Sequence, residues 1–134
     1  MNILIDTHIA LWAITDTKSL TERMKTILED EENTIYYSIA SVWEIAIKHK
    51  LHPDQFSISE EEFDSLCRKT EFHQLGIKNE HIYTIKTLVY PENAPKHNDP
   101  FDRLLLSQAK AEQLLFLTHD KKLSYYIEKC VLLL

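Results

Sequence analysis

The sequence predicts an α/β protein with a parallel sheet covered by helices on both faces. Three observations carry this. Short apolar runs alternate with amphipathic stretches at helical spacing along the whole chain, the order of repeated strand-helix-strand units. Ile3, Leu4 and Ile5 run without polar alternation, as in a strand buried on both faces. The chain is 134 residues long and 44% apolar, enough for one substantial core in a single domain spanning 1–134.

The elements follow in order. Residues 2–6 read as a buried strand, and Thr7 to Ile14 as a helix. Ser19 to Glu32 reads as a stronger helix, with Leu20, Met24, Ile27 and Leu28 at helical spacing. The acid run Glu29 to Glu32 and Asn33 ends it as a solvated turn. Thr34 to Tyr37 is a second strand. Ser41 to Leu51 is a helix with Val42, Ile45 and Ala46 on one face, broken by Pro53 to Ser57. Ser59 to Thr70 opens with a capping box, Ser59 and Glu62. Phe72 to Ile77 is a short strand and Asn79 to Val89 a helix. Pro91, Pro95 and Pro100 mark the one long loop. Asp99-Pro100 then starts a helix with proline at its first position, running to about Gln113 with Leu104, Leu105 and Ala109 as an apolar stripe. Leu114 to Thr118 is a buried strand, Lys121 to Lys129 a short helix and Val131 to Leu134 a final strand.

Composition excludes several chemistries. The single glycine, Gly76, cannot build a P-loop, a dinucleotide fingerprint or a GxSxG elbow. A net charge of −6 argues against a general nucleic-acid coater. It does not exclude an enzyme whose acidic centre is neutralised by metal. No apolar run approaches the roughly 20 residues a bilayer requires, and no signal peptide is visible. Cys67 and Cys130 form no CxxC pair, which predicts two buried, reduced thiols in a cytoplasmic protein.

Four acidic residues stand where a strand stops or a helix begins. Asp6 closes NILID, Glu44 lies in SVWEIAIK, Asp102 in NDPFDRLLL and Asp120 closes LLFLTHD. Each has a structural explanation. Asp6 fits an N-cap for Thr7 to Ile14, and Asp120 a cap for the helix at Lys121. Glu44 fits a capping box with Ser41 or an ion pair with Lys48. Asp99, before Pro100, is an N-cap signature, and Asp102 lies on the same helix face. Right-handed crossovers place every strand-to-helix turn on one edge of the sheet, where ligands bind in such folds. Gathered there, like charges repel by about 4 kcal/mol per pair at an effective dielectric near 20. A divalent ion reverses that sign, and two such ions can activate water and stabilise the leaving oxygen of a phosphodiester.

The succession NILIDTH, SVWEIAIK, NDPFDRLLLSQA and FLTHD resembles the PIN-domain nucleases, above all the bacterial VapC-type toxins, over nearly the whole chain. The resemblance implies a three-layer α/β/α sandwich around a central parallel sheet, Mg²⁺ or Mn²⁺ dependence and RNA cleavage. It also implies a homodimer and an inhibitory antitoxin partner. The family's acids fall on Asp6, Glu44, Asp102 and Asp120, with Asp99 matching an additional acid. Thr7 and Ser38 match polar positions near the family site, where they hold water or phosphate or simply bond locally to the backbone. The chain departs from the family at His119, where a small or polar residue is usual. It also lacks a glycine usual after Lys48.

Other features are weaker. His49 and His52 lack any HExxH context and read as surface residues. His119-Asp120 resembles the dipeptide of all-helical HD phosphohydrolases, but here it ends a strand. Lys48, Lys50, Arg103, Lys110, Lys121 and Lys122 lie near the acidic motifs and suit RNA phosphates, Lys48 and Arg103 foremost. Each is singly explained as a solvated helix residue. Trp12 and Trp43 read as core. Two other functions fit the same acids: a receiver-like protein accepting a phosphoryl group on Asp6, and a catalytically silent interaction module.

Overall fold

Ile3, Leu4 and Ile5 form β1 (Asn2–Ile5) in the computed structural model, which describes residues 1–134. All three side chains are fully buried. Their strand is the centre of a five-stranded parallel sheet of order β3-β2-β1-β4-β5, with β2 (Thr34–Ser38), β3 (His73–Leu75), β4 (Leu115–Thr118) and β5 (Val131–Leu133). Leu4 pairs with Tyr36 on one side and Phe116 on the other.

The pleat sends alternate side chains to opposite faces. Ile3, Ile5, Ile35, Tyr37 and Leu117 share one apolar cluster with Ile9 of α1 (Thr7–Thr15), Met24 of α2 (Glu22–Glu29), Ile45 of α3 (Ile39–Leu51) and Phe63 of α4 (Glu60–Lys69). Leu4 and Phe116 face the other way, onto Leu105, Leu106 and Ala109 of α6 (Pro100–Glu112). The short α5 (Asn79–Thr84) packs along α6, where the Ser107 hydroxyl donates to the His81 carbonyl. The result is the expected α/β/α sandwich.

The chain leaves β1 towards β2 and β3, then returns to β4 on β1's other side. Such a reversal leaves a crevice beyond the carboxyl ends of the two central strands. Asp6 directly follows β1, and His119-Asp120 directly follows β4.

Several boundaries differ from the sequence reading. The predicted helix Ser19 to Glu32 is a 3₁₀ turn, Thr17–Ser19, followed by α2. The Thr21 hydroxyl accepts the Met24 N–H and caps the helix there. The helix expected over Asn79 to Val89 closes at Thr84 and tightens into a 3₁₀ turn, Ile85–Thr87. The hydroxyls of Thr84 and Thr87 donate to backbone carbonyls in that stretch, and β-branched residues resist helix. Lys121 to Lys129 is not a helix beyond a 3₁₀ turn, Lys121–Tyr125, because the Ile127 N–H is taken by Val89 across the chain. Helix α3 starts at Ile39 with Ser38 as its cap, so Glu44 is not in a capping box with Ser41. The Ser59–Glu62 capping box is present. Cys67 is buried, but Cys130 is only partly so. Trp43, expected in the core, is 58% exposed.

Candidate metal centre

The carboxyl end of β1 delivers Asp6 to the crevice already oriented. Its Oδ1 accepts the Ile9 N–H at 2.8 Å, capping α1, and its Oδ2 accepts the Thr118 hydroxyl at 2.6 Å. The cap expected from sequence and the inward placement of the carboxylate therefore coexist. Glu44 enters from α3 and is almost fully buried. Thr7 donates to its Oε1 at 2.6 Å, and the Lys48 ammonium lies 2.5 Å from Oε2. Burying a carboxylate without such partners is costly, and Lys48 supplies the counter-charge here.

Helix α6 contributes one acid from its cap and one from its first turn. Asp99 caps it, its Oδ1 accepting the N–H groups of Phe101 and Asp102 at 2.9 and 3.2 Å. Asp102 lies one position past Phe101 and turns inward. Asp120, beyond β4, caps the following 3₁₀ turn through the Lys122 N–H at 2.9 Å. Its own N–H donates to Thr118 Oγ1 at 3.1 Å.

These five acids meet in one cleft of about 520 Å³ lined by no hydrophobic residue, whose other walls are His8, His119, Lys121 and Lys122. Burial pushes the Asp102 carboxyl up to about 8, and the charges of Asp99, Asp6, Glu44 and Asp120 push the same way. Both effects are those of crowded, half-desolvated carboxylates. Three donors are closest: one ligand atom each from His97, Asp102 and Asp120, all within 4.8 Å of one another. Burial lowers the His97 ring below its ordinary value, against the opposing pull of Asp120 and Asp99. The Asp6 carboxylate raises the His119 ring. Yet at 3.6 Å from Asp6 Oδ2, the buried His119 Nδ1 has no hydrogen-bond partner.

The other residues singled out from sequence are placed differently. Thr7 does not line the cleft; it is buried and positions Glu44. Ser38 is fully buried, with its hydroxyl on Gln108 Oε1 at 2.6 Å and its oxygen capping α3. These bonds match the local backbone bonding that the sequence also allowed for Ser38. Lys48 is committed to Glu44. Arg103 is exposed on α6, outside the cleft lining. Sequence reasoning did not single out His8 and His97. His8 follows Asp6 by two residues on α1 and turns to the same edge. His97 lies in the proline-bounded loop, whose path no periodicity reveals.

The family model of the PIN domain matches residues 3–129. No curated protein matches the chain. Among solved structures, the chain is similar to VapBC2 from Rickettsia felis bound to a DNA fragment from its promoter, at 17% identity and a TM-score of 0.66, over 100% of this chain and 98% of that one. It is similar to a toxin-antitoxin complex from Klebsiella pneumoniae at 19% identity and a TM-score of 0.58, over 97% and 95% of the two chains. It is also similar to FitAcB from Neisseria gonorrhoeae at 21% identity and a TM-score of 0.57, over 90% and 88%.

Proposed function

This chain belongs to the PIN domain family of nucleases, and on that premise we propose that it is a divalent-metal-dependent endoribonuclease, the toxin of a toxin-antitoxin pair. The observation that carries the reading is the convergence of Asp6, Glu44, Asp99, Asp102 and Asp120 on one cleft lined by no hydrophobic residue. The Klebsiella pneumoniae structure of similar fold is a toxin-antitoxin complex, which supports an antitoxin partner for this chain.

The residues fit a hard dication such as Mg²⁺ or Mn²⁺. They offer carboxylate oxygens, crowded enough to hold a proton on Asp102 near neutral pH. The unpartnered His119 Nδ1 faces the same carboxylates. A bound ion would supply Lewis acidity and a water of lowered pKa. The chain does the rest. Ile9 and Thr118 fix the Asp6 carboxylate, and Thr7 and Lys48 fix that of Glu44. Lys121 and Lys122 at the cleft wall suit the backbone phosphates of RNA, with Arg103 on the flank of α6 as a further contact.

Residues 1–134 act as one domain in this reading. The i, i+4 stripe Ile39, Trp43, Ile47 and Leu51 leaves α3 with exposed apolar side chains, which supports a homodimer. No helix is long and apolar enough to cross a membrane, and both cysteines are free; a cytoplasmic site of action follows from the reading. A phosphoacceptor role for Asp6 fits poorly, since this residue is 3% exposed and both its oxygens are engaged.

The test uses purified protein, single-stranded RNA, and either EDTA, Mg²⁺ or Mn²⁺. Cleavage is expected only with a dication, and is expected to fall by orders of magnitude in Asp6→Asn and Asp102→Asn proteins that still melt cooperatively. Undiminished cleavage by both variants would overturn the proposal.

A further inference from the structure

We propose that His97 is a nitrogen ligand of the ion held in this cleft, in a mixed set with Asp102 and Asp120, and that the set favours a first-row transition ion over Mg²⁺. The inference rests on the metal-dependent reading above and adds a ligand and an ion preference to it.

Three separate segments bring these donors together: the loop before α6, the first turn of α6 and the turn after β4. Their ligand atoms lie within 4.8 Å of one another. His97 is the unexpected member. Its neighbours Lys96 and Asn98 are exposed, as loop residues usually are. Its own side chain is 2% exposed. Its Nδ1 sits 2.8 Å from the Tyr126 hydroxyl. The Tyr126 ring meets it edge-on at 89°, and Tyr90 packs nearby. The imidazole is therefore locked, with Nε2 turned to the acids.

Nε2 stands 3.5 Å from Asp102 Oδ2. A structural ion pair would close to about 2.7–2.9 Å, the length of a charge-assisted hydrogen bond. At that length the contact is at the outer limit of a hydrogen bond, and the two atoms remain close enough to share a common centre. His97 adjoins the cleft through Asp102 and Asp120, and His119 in the cleft lining has a similar contact. There the buried His119 Nδ1 lacks any partner and stands 3.6 Å from Asp6 Oδ2. Each ring thus places a nitrogen 3.5–3.6 Å from a carboxylate oxygen of the acid cluster.

Tyr126 has the part of an outer hydrogen-bond partner. If Nδ1–H is given to its oxygen, the lone pair is left on Nε2, the tautomer a metal needs. Carboxylates and water suit Mg²⁺, whereas an imidazole in the set favours transition ions.

The test binds Mn²⁺ alone and Mg²⁺ alone to the full chain, with no RNA present. Calorimetry is expected to give the wild type a Mn²⁺ affinity at least tenfold above that of His97→Ala, with Mg²⁺ affinity nearly equal in the two. Tyr126→Phe is expected to lose about 10–100-fold in Mn²⁺ affinity. Pulsed electron paramagnetic resonance on the Mn²⁺-loaded wild type, with ¹⁵N-histidine, reads the ligand directly and needs no variant to fold. A histidine nitrogen coupling that vanishes in His97→Ala supports the proposal. Mn²⁺ bound without any histidine nitrogen coupling overturns it while leaving the carboxylate-bound nuclease reading intact. A coupling that survives in His97→Ala and vanishes in His119→Ala also overturns it. No Mn²⁺ binding by the wild type overturns both.

Discussion

The Thr118 hydroxyl donates to Asp6 Oδ2 at 2.6 Å, joining residues 112 positions apart. Thr118 Oγ1 in turn accepts the Asp120 N–H. One side chain at the end of β4 thus orients two acids on either side of the reversal in strand order.

Thr118→Val keeps the shape and removes both bonds. The Asp6 carboxylate loses one of its two partners inside the protein, which costs about 1–3 kcal/mol. Urea unfolding in EDTA should show that loss. Calorimetry should show weaker Mn²⁺ binding, because Asp6 is free to turn. An unaltered midpoint and affinity would mean the hydroxyl orients nothing.

Asp102→Asn is expected to stabilise the ion-free protein while removing its function. The substitution deletes a carboxyl that burial and four neighbouring acids push up to about 8, so that its ionised form strains the cluster. A melting temperature in EDTA higher by about 3 °C or more corresponds to roughly 1 kcal/mol in a domain of this size. Mn²⁺ should then give the variant little further shift. A lower melting temperature would show that Asp102 is paired favourably without an ion.

Stability of the ion-free protein should fall with rising pH. The folded Asp102 carboxyl titrates at about 8, against an ordinary value of 3.8, so the folded chain binds more protons than the unfolded one between these values. The slope of stability with pH is therefore negative across that window. Subtracting the Asp102→Asn curve removes the contribution of other groups, and the wild-type excess should decline from about pH 4 to pH 8. Mn²⁺ affinity should rise over the same range, as the ion no longer displaces a proton. A flat difference curve would contradict this.

Lys48→Met leaves Glu44, 3% exposed at its side chain, without the ammonium 2.5 Å away. An unpaired buried carboxylate destabilises, and the partial exposure of Lys48 keeps the loss to about 1–3 kcal/mol. A dication at the cleft substitutes for the missing charge. The gap in melting temperature between variant and wild type should therefore shrink when Mn²⁺ is added. A gap of constant size would place Glu44 outside the reach of the ion.

Trp43→Glu puts a charge in the middle of the exposed stripe on α3. If this face pairs two copies, light scattering should show a dimer in the wild type and a monomer in the variant, with unchanged circular dichroism. A dimer in both would locate the interface elsewhere.

The acids were legible in the sequence because each occupies a place with a local signature. A charge after a triply apolar strand, a carboxylate before proline, and an acid closing β4 are visible from neighbours alone. The same signatures describe helix caps, and Asp6, Asp99 and Asp120 are indeed caps. Spacing could not separate the two roles because one carboxylate has two oxygens, enough to cap a helix and still face the cleft. Helix ends were less legible. At Thr21 and Thr84 a side-chain hydroxyl competes with the backbone ladder, and at Ile127 a distant carbonyl takes the N–H.

The apolar pattern of the chain by itself determined the parallel sheet and its two helical layers, because burial of alternate faces is written in residues two or four apart. It also determined that acids would collect on one edge. Only the tertiary structure decided that Ser38 belongs to the interior, that Lys48 neutralises Glu44, that Trp43 faces outward, and that His97 comes within 4.8 Å of Asp102 and Asp120. Those placements depend on loop paths and on contacts between residues far apart in sequence, and no local periodicity encodes them.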